Sequence, residues 1–302
     1  MGKFVIGILL IIFFIEITSA EESDNYPEYI IGVNQNLIPD LTPTESSLAL
    51  KLIDKDFGEF AKLRVSHINY DDLAKMRKDF NNGRFDFIIL PSIEIIKNFE
   101  KEQLGEALTL SSRGQFLDLL LVISRNNEGI HDFSDLKNRK ISIPDNDELT
   151  DIYLKTLVYR SGGTDNCFFS KIDKFPTSQR LILQLFFKQT DAIVIFQSQL
   201  QLALEMNPVI AEKIKVVDKY EAVPAAMGYF SQNVDKSLQE YIISSLLKFQ
   251  RTVRGRQLLL LFKTDEYRRA NWTHLEPLIK LYNEYKLLKK NTDSRRGCPA
   301  EL

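Results

Sequence analysis

Short apolar runs alternate along the chain with longer segments in which apolar residues recur at helical spacing. In the central part, residues 140–144, 168–174 and 191–196 are rich in β-branched and aromatic residues. The two segments between them have the length and the amphipathic pattern of helices. This β-α-β-α-β order is typical of an open, mostly parallel sheet that is covered by helices on both faces.

The same order occurs a second time, nearer the N-terminus. Residues 29–33, 63–68 and 85–90 have the composition of buried strands. Thr44 and Asp71 are suitable N-caps for the two helical segments between these strands. The repetition predicts two α/β lobes, and a chain of 302 residues is long enough for two domains.

The order of the segments predicts that the second lobe is inserted into the first. Residues 114–119 are the expected crossing from one lobe to the other, and the pattern returns to the first lobe near residue 220. We therefore assign residues 25–116 plus 220–288 to lobe 1, residues 117–219 to lobe 2 and residues 289–302 to a polar tail. Two connections and a cleft between the lobes suit closure on a small molecule.

The C-terminal part of the chain is expected to be mostly helical. Residues 237–262 are strongly amphipathic and Gly255 marks a possible break, while residues 274–288 form a last predicted helix. An earlier helical segment, residues 197–214, contains Pro208, which should kink or split it.

The first twenty residues have the features of an export signal. Lys3 is followed by an apolar run over residues 5–15, and Thr18, Ser19 and Ala20 are small residues of the kind that a signal peptidase reads. We expect cleavage after Ala20 and therefore an exported protein. An uncleaved membrane anchor is the alternative, but the run is shorter than the roughly 18 residues that a spanning helix needs.

Composition and cysteine content narrow the function classes. The net charge of −2 favours neither nucleic acid nor an anionic membrane. Cys167 and Cys298 are the two cysteines, and Cys298 lies in the polar tail, so we expect no structural disulfide, although pairing stays open. The histidines His67, His131 and His274 lack metal-ligand spacing. No nucleophile–base signature is visible, so we expect neither an enzyme nor a metal or cofactor.

Four stretches carry a resemblance to a known family. They read DFSDLKNRKISIP, CFFSKIDKF, KQTDAIVIFQSQL and LLKFQRTVRGRQLLLLFKTDEYRRAN. The sequence resembles the extracytoplasmic solute-binding proteins of type-2 fold, and among them the phosphate/phosphite/phosphonate branch of ABC-transporter components. The resemblance implies the two-lobed type-2 periplasmic-binding fold, in which each lobe is a mostly parallel sheet flanked by helices and the ligand cleft lies between the lobes. It also implies a periplasmic location.

The sequence departs from that family where the ligand is expected. Ligands of open α/β sheets bind at the carboxyl ends of strands, beside helix N-termini. In the phosphonate branch a Ser-Thr-Ser-Gly-like run follows the first strand of the second lobe, whereas here residues 145–148 read Asp-Asn-Asp-Glu. Carboxylates at this place would repel a phosphonate, which suggests a cationic, zwitterionic or neutral polar ligand. The alternative is that these acids only cap the helix, which is a common arrangement.

The candidate ligand-binding residues follow predicted strands or lie near the crossing. They are Asn34, Gln35, Ser92, Ser112, Arg113, Asp145, Asn146, Asp147, Thr177, Ser178 and Gln197.

The resemblance implies a monomeric binding protein that captures a small polar solute, phosphonate-like or diverged, and delivers it to an ABC permease. A ligand-sensing subunit of a membrane sensor kinase or cyclase is the second hypothesis. An enzyme on the same fold is the third.

Overall fold

The strands of this chain form two separate sheets. The computed structural model describes residues 26–34, 42–111, 114–126, 128–145, 147–164, 167–262 and 264–293. The expected signal peptide lies outside the described residues, as do Gln35, Ser112, Arg113 and Asn146 among the candidate ligand-binding residues.

The described elements alternate as the sequence pattern predicts. The strands are β1 (Glu28–Asn34), β2 (Arg64–Tyr70), β3 (Phe87–Pro91), β4 (Leu104–Ser111), β5 (Asp118–Arg125), β6 (Lys140–Pro144), β7 (Lys171–Phe175), β8 (Ala192–Phe196), β9 (Ile214–Val223), β10 (Ala226–Ser231) and β11 (Glu266–Ala270). The α-helices are α1 (Pro43–Ala61), α2 (Leu73–Asn81), α3 (Ser92–Asn98), α4 (Glu148–Arg160), α5 (Ser178–Phe186), α6 (Gln197–Met206), α7 (Lys236–Phe249), α8 (Val253–Leu261) and α9 (Glu276–Asp293).

Both sheets are mixed, with most strands pointing the same way. The first sheet has the order β11-β4-β10-β3-β1-β2, and only β10 and β11 run against the other described strands. The second has the order β7-β6-β8-β5-β9, and only β5 runs against its described neighbours. The predicted fold class, α/β with two mostly parallel sheets, is therefore confirmed.

Two of the expected helix caps were wrong by one or two residues. Thr42, not Thr44, caps α1: its hydroxyl accepts a hydrogen bond from the Glu45 N–H at 3.3 Å, and the Glu45 carboxylate accepts one from the Thr42 N–H at 2.8 Å. This reciprocal capping box stabilises the start more than a single cap at Thr44 would. Asp72, not Asp71, caps α2 by accepting hydrogen bonds from the second and third N–H groups after it.

The long C-terminal amphipathic segment is two helices. The break lies at residues 250–252, before Gly255, and Thr252 begins α8 by accepting a hydrogen bond from the Gly255 N–H at 2.9 Å. Gly255 lies in the first turn of α8, where a Cβ would be only 2.1 Å from the carbonyl oxygen of Phe249. The missing side chain therefore lets the start of α8 pack directly against the end of α7.

The remaining comparisons with the predicted segments concern the ends of helices and two short elements. The expected split at Pro208 is confirmed, because α6 ends at Met206 and a 3₁₀ turn begins at Pro208. The pattern missed α3, which is only seven residues long, and β11, whose sequence EYRRA is largely polar. The last helix continues to Asp293, past the expected start of the tail, and residues 294–302 lie outside the described part.

Helix α9 and the core connect the two sheets. The largest apolar cluster contains residues of both sheets and of α9, including the fully buried Leu278 and Leu281. Helix α9 follows β11 of the first sheet but packs mainly on α4, which follows β6 of the second. The Arg160 guanidinium on α4 donates two hydrogen bonds of 2.7 Å to the Glu284 carboxylate on α9.

The expectation of no structural disulfide was wrong. Cys167, which lies between α4 and β7, is disulfide-bonded. The sequence has two cysteines, and the other, Cys298, lies outside the described residues. The tail composition was a poor guide, because a disulfide needs only suitable geometry and an oxidising compartment.

None of the helices in the described part of the chain combines the length and the apolarity that crossing a bilayer needs.

Candidate functional site

The second sheet brings several predicted site residues to one edge. Strands β6, β7 and β8 are adjacent and parallel, so their carboxyl ends lie together. Asp145 and Asp147 follow β6, Thr177 and Ser178 follow β7, and Gln197 follows β8. Helices α4, α5 and α6 begin at this same edge, so their N-termini and these side chains share one region.

Two further predicted residues end neighbouring strands of the first sheet. Asn34 ends β1 and Ser92 follows β3, and these strands are paired in parallel. Both side chains are buried, and the Asn34 amide donates a hydrogen bond to the Tyr70 carbonyl at 3.4 Å. The Ser92 hydroxyl has no hydrogen-bond partner among the described residues.

Asp147 occupies the N-terminus of α4. Its carboxylate accepts hydrogen bonds from the Thr150 N–H at 3.3 Å and from the Thr150 hydroxyl at 2.8 Å. Burial raises the pKa of Asp147 above its ordinary value, and the hydrogen bonds from Thr150 oppose that shift. A carboxylate of the chain itself therefore lies where this helix would otherwise hold an anion.

Asp118 occupies the N-terminus of α6 in the same way, although it begins strand β5. Its carboxylate accepts hydrogen bonds from the Ser198 N–H at 3.1 Å and from the Ser198 hydroxyl. Burial raises the pKa of Asp118, and the hydrogen bonds from Ser198 lower it by less.

The third helix of this edge has a neutral cap. The hydroxyl of Thr177 accepts a hydrogen bond from the Arg180 N–H at 3.4 Å at the start of α5. Asp145 is exposed, and its N–H donates a hydrogen bond of 2.8 Å to the Phe175 carbonyl at the end of β7. These contacts place Asp145 and Thr177 on adjacent strand ends.

A cluster of three charged residues joins α3 to α4. The Lys97 ammonium on α3 lies 2.8 and 2.6 Å from the two carboxylate oxygens of Glu148, the first residue of α4. It also lies 3.5 Å from the carboxylate of Glu94, one turn earlier on α3. We call these three residues the α3–α4 cluster. It connects α3, which follows β3 of the first sheet, to α4, which follows β6 of the second sheet.

The sequence pattern missed the main participants in these contacts. Glu94 and Lys97 lie on a helix too short to show a periodic pattern. Asp118 lies in the crossing segment, where nothing in the sequence marks it as the cap of a helix that begins about 80 residues later. The Glu94–Lys97 spacing of three residues was the one local signal, because such pairs face each other on a helix.

The described residues offer no group for metal binding. Among them, no cluster of three or more His, Cys, Asp and Glu side chains could hold a metal ion. What the arrangement offers is hydrogen-bonding and carboxylate chemistry for a polar solute.

Comparison with known proteins identifies the family. A sequence model for the periplasmic substrate-binding protein of phosphonate ABC transporters matches residues 36–275. The chain belongs to this family. The resemblance seen in the sequence is therefore confirmed, and members of the phosphonate-binding family bind solutes in the periplasm for ABC transport. No curated protein matches the chain.

Solved structures of this type share the fold at low sequence identity. A binding-protein component of an ABC phosphonate transporter from Pseudomonas aeruginosa is 13% identical, with a TM-score of 0.61 and 88% of each chain covered. PhnD1 from Prochlorococcus marinus, in complex with methylphosphonate, is 12% identical, with a TM-score of 0.60 over 86% of this chain and 98% of that one. A Xanthomonas citri protein bound to ATP is 14% identical, with a TM-score of 0.62 over 87% and 98%.

As a member of the phosphonate-binding family, this chain is a solute-binding protein. The family also implies export and delivery of the solute to an ABC permease.

Proposed function

We propose that this protein captures a small cationic or zwitterionic solute, not a phosphonate, in a cleft between two lobes. One observation carries the proposal. Two of the three helix N-termini at the strand ends of the second sheet are filled by carboxylates of the chain, Asp147 at α4 and Asp118 at α6.

A helix N-terminus binds an anion because its first N–H groups have no partner within the helix and carry partial positive charge. Asp118 alone takes hydrogen bonds from the Ser198 N–H at 3.1 Å and from the Ser198 hydroxyl. A phosphonate at this edge would have few free donors and would approach carboxylates. Each contact between like charges at ~4 Å costs about 4 kcal/mol at an effective dielectric constant of ~20, before screening.

The remaining charges at the strand ends favour a positively charged group. Asp145 presents an exposed carboxylate beside Thr177. The Lys97 ammonium is the positive charge of the α3–α4 cluster, and its contacts with Glu94 and Glu148 neutralise it. An ammonium or amide group of a solute therefore fits this edge better than an oxyanion.

Closure would occur by rotation of the second sheet against the first. The proposed hinge consists of residues 114–117, which precede β5, and residues 224–225, between β9 and β10. In this proposal lobe 2 extends to Val223, because β9 pairs with β5 up to that residue, whereas the sequence pattern put the end of lobe 2 at residue 219. Helix α9, which the sequence assigns to lobe 1, moves with lobe 2 because it packs on α4.

The first prediction concerns the solute. Methylphosphonate, phosphate, amino acids and polyamines are tested with the mature protein by thermal shift and then by calorimetric titration. We expect stabilisation by an amine-bearing solute and none by methylphosphonate at millimolar concentration. Tight binding of methylphosphonate would overturn the proposal.

A variant isolates the effect of the carboxylate. Asp147→Ser keeps a good N-cap but removes the charge, so methylphosphonate binding should strengthen at least tenfold. Asp235→Ser makes the same change at the cap of α7, which follows a strand of opposite direction, and should leave methylphosphonate binding unchanged. Equal effects of the two changes would contradict a local role of Asp147.

A further inference from the structure

Cys167 is disulfide-bonded and lies on a segment that packing holds in place. It lies after α4 and before β7, and its N–H donates a hydrogen bond of 3.1 Å to the Thr164 carbonyl. The next residue, Phe168, is buried, and its ring stacks on the ring of Phe133 at a centroid distance of 5.2 Å. The backbone at Cys167 is therefore fixed, and the partner cysteine has to come to it.

Helices α4 and α9 run in parallel. Tyr153 on α4 and Pro277 on α9 both contact Tyr220 of β9. The Tyr153 and Tyr220 ring centroids are 5.8 Å apart, and the Tyr220 hydroxyl donates a hydrogen bond of 2.9 Å to the Pro277 carbonyl. Two turns later on each helix, the Arg160 guanidinium donates to the Glu284 carboxylate. The two helices therefore advance side by side in the same direction.

Helix α9 continues past the end of α4. Helix α4 ends at Arg160, whereas α9 continues from Glu284, which is bonded to Arg160, to Asp293. At a rise of about 1.5 Å per residue, the end of α9 lies about 13 Å beyond Glu284 along the helix axis. The segment that contains Cys167 leaves α4 at this same end, so α9 points toward the side of the molecule where Cys167 lies.

The sequence contains one other cysteine, Cys298, and it follows α9 closely. Five residues lead from Asp293 to Cys298. Such a stretch spans up to about 17 Å when it is extended, which is more than the distance of about 13 Å by which α9 passes the end of α4. A disulfide of Cys167 within one chain has no other cysteine to include.

Side-chain packing leaves the last part of α9 exposed. Leu288 packs against the apolar cluster that contains Leu278 and Leu281, but Leu287 is 62% exposed and residues 289–291 are exposed as well. Helix ends with few buried contacts open locally at little cost in free energy. A covalent bond just beyond this end would hold the turns that packing does not hold.

We propose that Cys167 and Cys298 form a staple that fixes the end of α9 to the segment after α4, so that stable docking of α9 depends on oxidation of the two thiols. Forming the S–S bond removes two protons and two electrons from the thiols. A disulfide-carrying thiol oxidase of the export compartment accepts them by thiol–disulfide exchange and becomes a dithiol. The staple goes beyond the proposed function, because it does not depend on which solute binds.

The staple closes a long loop of the chain. The loop runs from β7 in the second sheet through β10 and β11 in the first sheet, and then back along α9. A cross-link stabilises mainly by restricting the unfolded chain, and a loop of about 130 residues is in the range where this effect is large. Because α9 contributes Leu278 and Leu281 to the core, the bond also secures the core that the two sheets share.

The first test is a peptide map of the mature protein, purified from an oxidising compartment and digested without reductant. Mass spectrometry should find one peptide pair that joins Cys167 to Cys298, with no free thiol. The protein should also run as a monomer on a non-reducing gel. Free thiols, or a dimer linked through these cysteines, would overturn the staple.

The second test is thermal unfolding with and without reductant. Cys298→Ser and the double change Cys167→Ser/Cys298→Ser remove the same bond, so both should lower the Tm by the same amount, about 5–15 °C. A reductant should lower the wild-type Tm by that amount and leave both variants unchanged. Ser294→Ala, also in the C-terminal tail, should follow the wild type in both conditions. A wild-type Tm that does not respond to reductant would contradict the proposal.

Hydrogen exchange of the wild-type protein locates the effect and needs no variant that folds. Backbone amides of residues 289–293 should exchange about tenfold faster or more after reduction, whereas those of α7 should not change. Equal acceleration in α7 and α9, or none in α9, would show that the bond does not hold this helix end. Failure of the proposed function would instead appear as tight methylphosphonate binding, and would leave all these results unchanged.

Discussion

Asp118 illustrates at the residue scale how one side chain can hold two distant segments together. Asp118 is the first residue of β5, in the crossing from the first sheet. Its carboxylate accepts hydrogen bonds at the N-terminus of α6. Burial raises its pKa because it penalises the charged form, whereas the hydrogen bonds from the start of α6 favour the ionised form. Removing the side chain should still cost stability, because it leaves the Ser198 N–H and hydroxyl without this acceptor.

The Asp118→Ala change tests this balance. We expect a loss of about 1–2 kcal/mol in the free energy of unfolding, the range found for losing a good helix cap. Urea denaturation measures it. Ser198→Ala removes only the hydroxyl donor and leaves the backbone N–H bonds in place, so its effect should be smaller. A stabilised Asp118→Ala variant would mean that the cost of burying the charge dominates.

The sequence predicts where polar residues lie at strand ends, but not which side chains they contact. The positions of Asp145, Asp147, Thr177 and Gln197 at strand ends follow from the β-α-β pattern, since each comes shortly after a segment with a strand-like composition. The contacts of Asp118, Glu94 and Lys97 do not follow from it, because they depend on how segments distant in the chain pack. Local patterns specify elements, whereas the partners of polar side chains are set by tertiary structure.

At the scale of elements, the α7–α8 pair shows how one missing side chain sets a helix junction. Periodicity alone predicts one long helix, because the apolar positions of both helices share a compatible spacing. The structure breaks the chain at residues 250–252 and uses the bare Cα of Gly255 to pack against the Phe249 carbonyl. The glycine is therefore needed for close approach and not to end a helix.

Gly255→Ala should therefore destabilise the protein. Alanine in a helix normally stabilises by about 1 kcal/mol relative to glycine. Here the added methyl would lie 2.1 Å from a backbone oxygen, so we expect a net loss of about 1–3 kcal/mol by thermal or urea unfolding. Gln257→Ala, at an exposed position of the same helix, should change stability by less than about 0.5 kcal/mol. A gain for Gly255→Ala would show that α8 shifts away freely.

At the scale of the whole molecule, the two sheets share one apolar core through α9. The cluster that includes Leu120 and Ile141 of the second sheet also includes Ile88 of the first and Leu281 of α9. The sequence predicted the two sheets and their helices well, because periodicity reports each element. It does not show which elements α9 packs on, because an amphipathic helix shows that it has a partner but not which one; in the structure α9 packs mainly on α4.

This shared core predicts cooperative unfolding. Leu281→Ala should cost about 2–5 kcal/mol, because the side chain is fully buried, and should lower one common calorimetric transition. Leu287→Ala, on the same helix but 62% exposed, should have little effect. Two separate transitions, with only one shifted by Leu281→Ala, would contradict a core shared between the sheets.

The docking of α9 also matters for the order in which the protein is made. Synthesis runs from the N-terminus, so the face of α4 that packs on α9 stays uncovered until Leu278 and Leu281 have been made, long after α4 itself. Family membership implies passage through a translocation channel, which accepts an extended polypeptide. A core that is completed only by the arrival of α9 keeps the preceding chain loose during this passage.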